Sequence, residues 1–415
     1  QIIPQLFHCF FPAQFIGPGK DPQKGEAAIE VARLYELLGR IYFYSNETLP
    51  IMYSVLRFLN EAEKAGPSPE LASAYSSMSV LAGFAQLHSL AETYVERGLA
   101  VAREVNLPSN LITVYVVTSA YLITVGKWED VRARVEEAKV ICEQLGDYRQ
   151  WGDATAMLGE SAFMAGDTSY SMNVQNVLLE DARRRRNPLH QCWGLLGVAV
   201  NNIRWGKAAD ALPMLEEALR ILEETPNLAS SIETNGQIAL AYLRLGREEE
   251  ALAHAEKVLN LSEKLSPTVY SMDIGFSGVA DVYFELWERA LQEPAKKTNA
   301  DQLGALAEKS VRLLVAFQKV FPIGQAVTPV YQGWYEWLTR KPEAAIKTLK
   351  RGLDAALKFN TAYEEGLIRF KLALYSRDNR EARKQNLGRA MEIFETMGAL
   401  HELRLVQEEA KKAGM

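Results

Sequence analysis

The chain has 415 residues, of which 48% are hydrophobic and 24% charged, and a formal net charge of −6. That length exceeds what one hydrophobic core organises, so several domains or a stacked array are expected. The composition excludes a disordered or fibrous chain, and the acidic balance argues against nucleic acid or an anionic membrane as main partner.

Three cysteines, Cys9, Cys142 and Cys192, lie far apart and make no CxxC pair or disulfide framework. This fits a reducing, cytoplasmic setting, in which the sequons at Asn46 and Asn260 are chance matches. Residues 1–22 are rich in Pro, Phe and Gly without helical period, and read as an N-terminal connector. They hold no basic region or cleavage site of a signal peptide. Residue 1 is Gln, which suggests a piece of a longer polypeptide. Gly17-Pro-Gly-Lys20 lacks the first glycine of a phosphate loop, with Gln14 in its place, and Asp21 replaces the hydroxyl residue.

From Glu26 the pattern becomes regular, with paired apolar-periodic helices separated by turns. First helices are predicted at 26–45, 69–86, 109–125, 149–165, 189–205, 229–245 and 268–289, and second helices at 48–65, 88–105, 128–145, 168–185, 208–224 and 248–265. Glycine recurs every 40 residues at 126, 166, 206 and 246, ending first helices. Small residues stand seven positions earlier, at Ser119, Gly159, Ala199 and Ala239, with Gly39 and Ser79 in the same register. Close approach of antiparallel helices requires such residues. Second helices are predicted to stop at Gly66, Asn106, Gly146, Asn187 and Asn227, residue types that tolerate a left-handed closing turn. Tyr35, Tyr75, Tyr115, Leu158, Trp205 and Leu245 are expected to point inward. The charge-free run Asn106–Gly126 occupies a repeat slot and reads as a buried helix, not a membrane span.

The register slips after Pro267, where the spacing from Gly246 to Arg340 exceeds two periods by 14 residues. This predicts an inserted loop at about 291–303. Helices follow at 302–319, 325–339, 342–358, 361–375 and 382–396. The array thus covers 23–399 in nine repeats, closed by a charged capping helix within 400–415. The fold class expected is all-α, a right-handed superhelical solenoid of antiparallel helix pairs.

Trp193-Gly-Leu-Leu-Gly197-Val-Ala-Val200 resembles the start of a tetratricopeptide repeat. The 40-residue period is longer than the standard 34. In this it is similar to the long repeats of bacterial signal-transduction ATPases, including the maltose-regulon activator type. Three stretches look like the C-terminal repeats of bacterial proteins that join a class III nucleotide cyclase to a large ATPase domain. They are Glu30-Val-Ala-Arg-Leu-Tyr-Glu-Leu-Leu-Gly39, Ile51-Met-Tyr-Ser-Val-Leu-Arg-Phe-Leu-Asn-Glu-Ala-Glu-Lys-Ala-Gly-Pro-Ser-Pro-Glu-Leu-Ala72 and Ala138-Lys-Val-Ile-Cys-Glu-Gln-Leu-Gly-Asp-Tyr-Arg-Gln-Trp151. The resemblance implies a regulatory segment that senses a partner or ligand. It carries over no cyclase or ATPase residue, because those motifs do not occur.

No HExxH, His/Cys metal spacing or Gly-x-Ser-x-Gly elbow occurs, so no catalytic residue, metal or cofactor is expected. The His190–Cys192 pair reads as structural. No clustered titratable set is apparent, which argues against an enzyme. Arg183-Arg-Arg-Arg186 reads as a solvated helix end complementing the dipole, with phosphate, acidic-peptide or nucleic-acid contact as the rival. First helices line the concave face of such arrays, so the candidate binding residues are Arg33, Arg40, Tyr44, Asp153, Glu160, Trp193, Arg204, Glu233 and Arg244. Tyr331, Trp334, Tyr335 and Trp337 read as core before surface. The function expected is non-enzymatic binding of a protein or peptide, of other domains of the same polypeptide, or of a small-molecule effector, within a larger signalling ATPase or cyclase. The alternative is a free-standing adaptor or scaffold.

Overall fold

The structure, a computed structural model, describes residues 17, 22–45, 47–263, 267–292, 297–376 and 379–414. Most of the connector predicted at 1–22, Cys9, Asn46 and residues 293–296 of the expected inserted loop lie outside the described residues. Nineteen helices, and no strand, occur among the described residues. The first ten are α1 (Pro22–Tyr44), α2 (Thr48–Ala65), α3 (Pro69–Phe84), α4 (His88–Val105), α5 (Pro108–Thr124), α6 (Trp128–Leu145), α7 (Tyr148–Ala165), α8 (Thr168–Arg185), α9 (Pro188–Arg204) and α10 (Ala208–Glu224). The others are α11 (Leu228–Arg244), α12 (Glu248–Ser262), α13 (Met272–Gln292), α14 (Lys297–Val320), α15 (Gly324–Leu338), α16 (Pro342–Phe359), α17 (Ala362–Tyr375), α18 (Arg380–Met397) and α19 (Leu400–Lys412).

Helix ends follow local chemistry. Side-chain oxygens of Ser68, Asp167, Asn187, Asn227 and Asn379 each accept from the backbone N–H three residues on, closing the starts of α3, α8, α9, α11 and α18. Each such cap is worth about 1 kcal/mol. Two expected stops are thereby corrected. Asn187 and Asn227 start the next helix, because their side chains satisfy its free N–H groups; the left-handed residue closing α8 is Arg186, with φ 57°. The ladder glycines 126, 166, 206 and 246 all have positive φ, between 70° and 93°. A β-carbon there would crowd the backbone.

The chain divides into two compact units, residues 1–124 with 129–154, and residues 125–128 with 155–415. In the first, Phe58, Leu59, Leu71, Tyr75 and Tyr94 form a buried core between α2, α3 and α4. First helices of adjacent repeats are tied by bonds at near-repeat separations, Arg33 Nε to Glu70 at 2.8 Å and Asn110 Nδ2 to Ser73 Oγ at 3.2 Å. Each spans 37 residues, one period less one helical turn.

The second unit repeats this register. Trp193 Nε1 donates to Ser230 Oγ at 3.3 Å and Gln237 Nε2 to the Ile274 carbonyl at 2.6 Å, again 37 residues apart. Between α11 and α13 the backbones nearly touch. A β-carbon on Gly236 would lie 2.3 Å from the Gly275 carbonyl oxygen, and one on Gly278 would lie 2.6 Å from that of Gly236. Of the small residues expected at contacts, Ser79, Ser119, Gly159, Ala199 and Ala239 are buried and Gly39 is half-buried, whereas Leu245 is exposed at the end of its repeat instead of pointing inward.

The C-terminal helices of this unit return to the ladder turns. Trp128 Nε1 donates to the Phe359 carbonyl at 2.9 Å, Thr168 Oγ1 to the Met397 carbonyl at 2.8 Å, and Trp205 Nε1 to the same carbonyl at 3.2 Å. Gly166 lies against Ala362 and Met397, and Gly206 against Leu400. Three ladder turns thus form a seam with the ends of α16 and α18 and the starts of α17 and α19.

Candidate functional site

The seam brings α17 over the inner helices α7, α9 and α13, and two small adjoining cavities remain among them. One, of about 40 Å³, is walled by Phe163, Met164, Arg204, Asp273, Tyr363 and Glu364 among others. The other, of about 30 Å³, shares Phe163, Met164 and Asp273 and adds Glu160, Gln175, Trp193 and Glu233. Together they hold a few waters' worth of room.

The polar groups here are unevenly matched. Glu160 Oε2 accepts from Tyr270 Oη at 2.8 Å, and Glu233 Oε1 from Ser271 Oγ at 2.7 Å. Burial, reinforced by the charge of Glu233 and opposed by the Tyr270 bond, pushes Glu160 up to about 8. Burial, opposed by the Ser271 bond, pushes Glu233 up to about 7. Burial also lifts Asp273 well above the carboxylate range, with the charge of Glu364 adding to it. The Glu364 carboxyl is raised by burial against the pull of Arg204. Asp273 Oδ1 and Gln175 Oε1, on side chains 6% and 2% exposed, have no hydrogen-bond partner. Buried polar atoms are seldom left so.

Gln175 reaches this place through the small-residue register. It belongs to the second helix α8, yet its amide passes between α7 and α9. A β-carbon on Gly159 would lie 2.4 Å from Nε2, and one on Gly197 would lie 2.2 Å from Cδ. Arg204 is held on the opposite side. Its guanidinium carbon stands 3.3 Å from the Tyr363 ring centroid and 4.4 Å from that of Phe163. Such stacking fixes a cation by attraction to the ring faces; Arg204 Nη1 is buried and unpartnered.

Of the nine residues expected to bind, Glu160, Trp193, Arg204 and Glu233 meet around these cavities. Arg244 joins a neighbouring network instead. It pairs closely with Glu285 and lies 3.8 Å from Glu402, which accepts from Tyr363 Oη at 3.2 Å. Asp281 sits there too, accepting from Tyr331 Oη at 3.0 Å. Burial lifts Asp281 to about 7 against the pull of Arg244. Arg33, Arg40 and Asp153 belong to the first unit. Arg33 pairs with Glu30 and Glu70, Arg40 is exposed, and Asp153 lies 3.2 Å from Arg149. The side chain of Tyr44 lies outside the described residues.

The expectation of no clustered titratable set is corrected: Glu160, Glu233, Asp273, Glu364 and Arg204 come together. Their separations in sequence carry no motif, and only folding assembles them. Asp273, Gln175 and Glu364 escaped the sequence reading; Gly159, read only as a contact slot, and Gly197, read only as part of the repeat start, were the available signal for Gln175.

Three of the four clustered arginines are paired in place, two of them on one carboxylate. Arg184 pairs closely with Asp181, Arg185 Nε lies 2.9 Å from Asp181, and Arg183 lies 3.2 Å from Glu217. Trp334 stacks on Phe284 at 5.1 Å between centroids, and Trp337 on Tyr375 at 4.0 Å, so the late aromatics serve packing. Cys142 and Cys192 are buried free thiols. Among the described residues no group of three or more His, Cys, Asp or Glu side chains is placed to hold a metal ion, and no helix is long and apolar enough to cross a membrane.

Residues 179–264 match the tetratricopeptide repeat family model. No curated protein matches the sequence. Among solved structures, a Rap protein complexed with competence and sporulation factor aligns over 90% of this chain and 99% of its own, at 12% identity and a TM-score of 0.61. The Rap conjugation gene regulator of plasmid pLS20, in complex with the Phr* peptide, aligns over 89% of this chain and 98% of its own, at 12% identity and a TM-score of 0.52. A signal transduction ATPase with a tetratricopeptide repeat sensor from Pyrococcus horikoshii aligns over 92% of this chain and 54% of its own. Its identity is 13% and its TM-score 0.45, too low to carry weight. The fold is a tetratricopeptide-like, all-α solenoid of antiparallel helix pairs.

Proposed function

We propose that this chain is the non-enzymatic sensor segment of a larger signalling ATPase or nucleotide cyclase, and that the inner face of its second unit receives the partner or effector. The observation that carries the reading is the set of buried, incompletely satisfied polar groups converging from α7, α8, α9, α11, α13 and α17 on one small space. A fold gains nothing in stability from such groups unless something pairs with them. Two Rap proteins of similar fold are described with a factor and a peptide bound, which makes a peptide the natural class of partner. Because α17 walls the larger of the two cavities through Tyr363, Glu364 and Leu367, a partner that prefers one placement of this helix shifts its equilibrium and so signals.

The wider reading frame tests this. An ATPase or cyclase domain encoded in frame beside the repeats is the expected result. Start and stop codons bracketing the repeats alone overturn the sensor-segment reading. They would leave the second reading, a free-standing cytoplasmic adaptor. That alternative draws support from the near-complete coverage of the Rap chain by this one.

A further inference from the structure

The smaller cavity is lined by acceptors without a cation. Three carboxyl side chains, Glu160, Glu233 and Asp273, face it together with Gln175. The first two are bonded only in part: Tyr270 serves Oε2 of Glu160 and Ser271 serves Oε1 of Glu233. Asp273 Oδ1 and Gln175 Oε1 have no partner at all. Arg204 lines the adjoining cavity, held between Phe163 and Tyr363, and does not line this one. Ser171 and Ser271 also line it, their hydroxyls donating to the Gly159 carbonyl and to Glu233; the other walls are apolar or aromatic, among them Trp193, Phe163, Met164 and Leu196.

We propose that this chamber binds an alkylammonium group, whose charge offsets the buried carboxylates and whose N–H donors reach Asp273 Oδ1 and Gln175 Oε1. An ammonium carries three donors and no acceptor, the complement of a wall made of acceptors. The Trp193 ring adds attraction for a cation. At about 30 Å³ the space admits one ammonium on a narrow stem, with Phe163 and Met164 among the walls it shares with the larger cavity. The inference rests on the inner face being the binding surface. The ammonium comes either from a free amine or from a lysine side chain of a bound peptide, and both present the same chemistry.

Binding also moves protons. In the unliganded chamber, where Glu160 and Glu233 face Tyr270 and Asp273 and have Arg204 and Glu364 next door, burial raises Glu160 to about 8 and Glu233 to about 7, so protons are held on these two carboxyls near neutral pH. A bound cation favours their charged forms and expels protons.

The test titrates the full chain with n-butylammonium chloride and with acetyl-Ala-Lys-Ala-amide, against n-butanol and acetyl-Ala-norleucine-Ala-amide at matched salt, following the melting temperature. The expected result is a saturable rise with the ammonium compounds and none with the neutral ones. A rise with butylammonium alone assigns a free amine, and a stronger rise with the lysine peptide assigns a peptide side chain. The double variant Glu160→Gln/Glu233→Gln should lose the response, and Gln175→Leu should weaken it about tenfold, the loss of one hydrogen bond to a charged group. Equal responses to charged and neutral probes, or a response unchanged in the double variant, overturn the proposal. Calorimetry of the wild type at pH 7.5 in phosphate and in MOPS, neither of which supplies a primary ammonium, removes any dependence on variants that fail to fold: heats that differ between buffers show the expected proton release, and equal heats overturn it. If the amine fails while an ATPase or cyclase domain adjoins the repeats, this inference falls and the sensor reading stands.

Discussion

At the scale of single residues, Glu160 and Glu233 matter most because burial sets their protons. Both have pKa values raised above the ordinary 4.5, to about 8 and about 7. Their favourable contribution to stability is therefore complete below the ordinary value and is lost as pH rises through about 7 to 8. In chemical denaturation at pH 5 and pH 8.5, the Glu160→Gln/Glu233→Gln variant should differ little from wild type at the lower pH. At the higher it should be the more stable, by on the order of a few kcal/mol. A gap that does not change with pH would show that these carboxyls are not buried in solution. The positions were legible as polar residues on first helices. Their burial was not, since the same pattern describes a glutamate facing water, and only the placement of α13 and α17 separates the two.

Elements show a sharper division between the legible and the hidden. The bounds of α2, α4, α6, α8 and α10 coincide with those predicted, because period, caps and turn glycines all act within one repeat. What the turn glycines meet acts across repeats. Gly246 and Gly126 share a positive φ of 74° and 70°, yet Gly246 has nothing within 4 Å of an added β-carbon, while Gly126 would place it 2.3 Å from the Phe359 carbonyl oxygen. Gly246→Ala should cost only the left-handed strain, about 1 kcal/mol. Gly126→Ala should add the overlap with backbone and cost at least about 3 kcal/mol, or displace the end of α16. Equal melting temperatures for the two variants would contradict the seam. The contact of α11 and α13 makes a related prediction. Gly236→Ala drives a methyl into the Gly275 carbonyl and should destabilise by about 1–3 kcal/mol in urea unfolding. Gly388→Ala, with open space around it, should be neutral or slightly stabilising.

For the molecule as a whole, the repeat period announced the architecture, and the closing of its second unit was silent. The hydrogen bonds that hold α18 to the ladder turns span 192 to 229 residues, separations that leave no trace in a local pattern. Trp205 is the central piece, since Nε1 reaches both Thr168 Oγ1 and the Met397 carbonyl, and its ring lies 3.2 Å from a β-carbon built on Gly398. Trp205→Ala should loosen α18 and α19 by about 2 kcal/mol, less than for a wholly buried tryptophan because the ring is half-buried. Hydrogen exchange should quicken at 394–412 and stay unchanged in α3 and α4. Uniform quickening throughout would mean that α18 and α19 do not open separately.

The seam also constrains how this protein can change over generations. An open array gains or loses a repeat at its end or middle with little consequence, because each unit answers only to its neighbours. Here the turns at 126, 166 and 206 have assigned counterparts at 359, 397 and 400. Duplicating or deleting one 40-residue unit between them would bring each turn opposite the wrong helix end and open the acid-lined chamber to water. The number of repeats in this stretch is therefore constrained by the same contacts that constrain its side chains, and a change of copy number costs more here than a substitution.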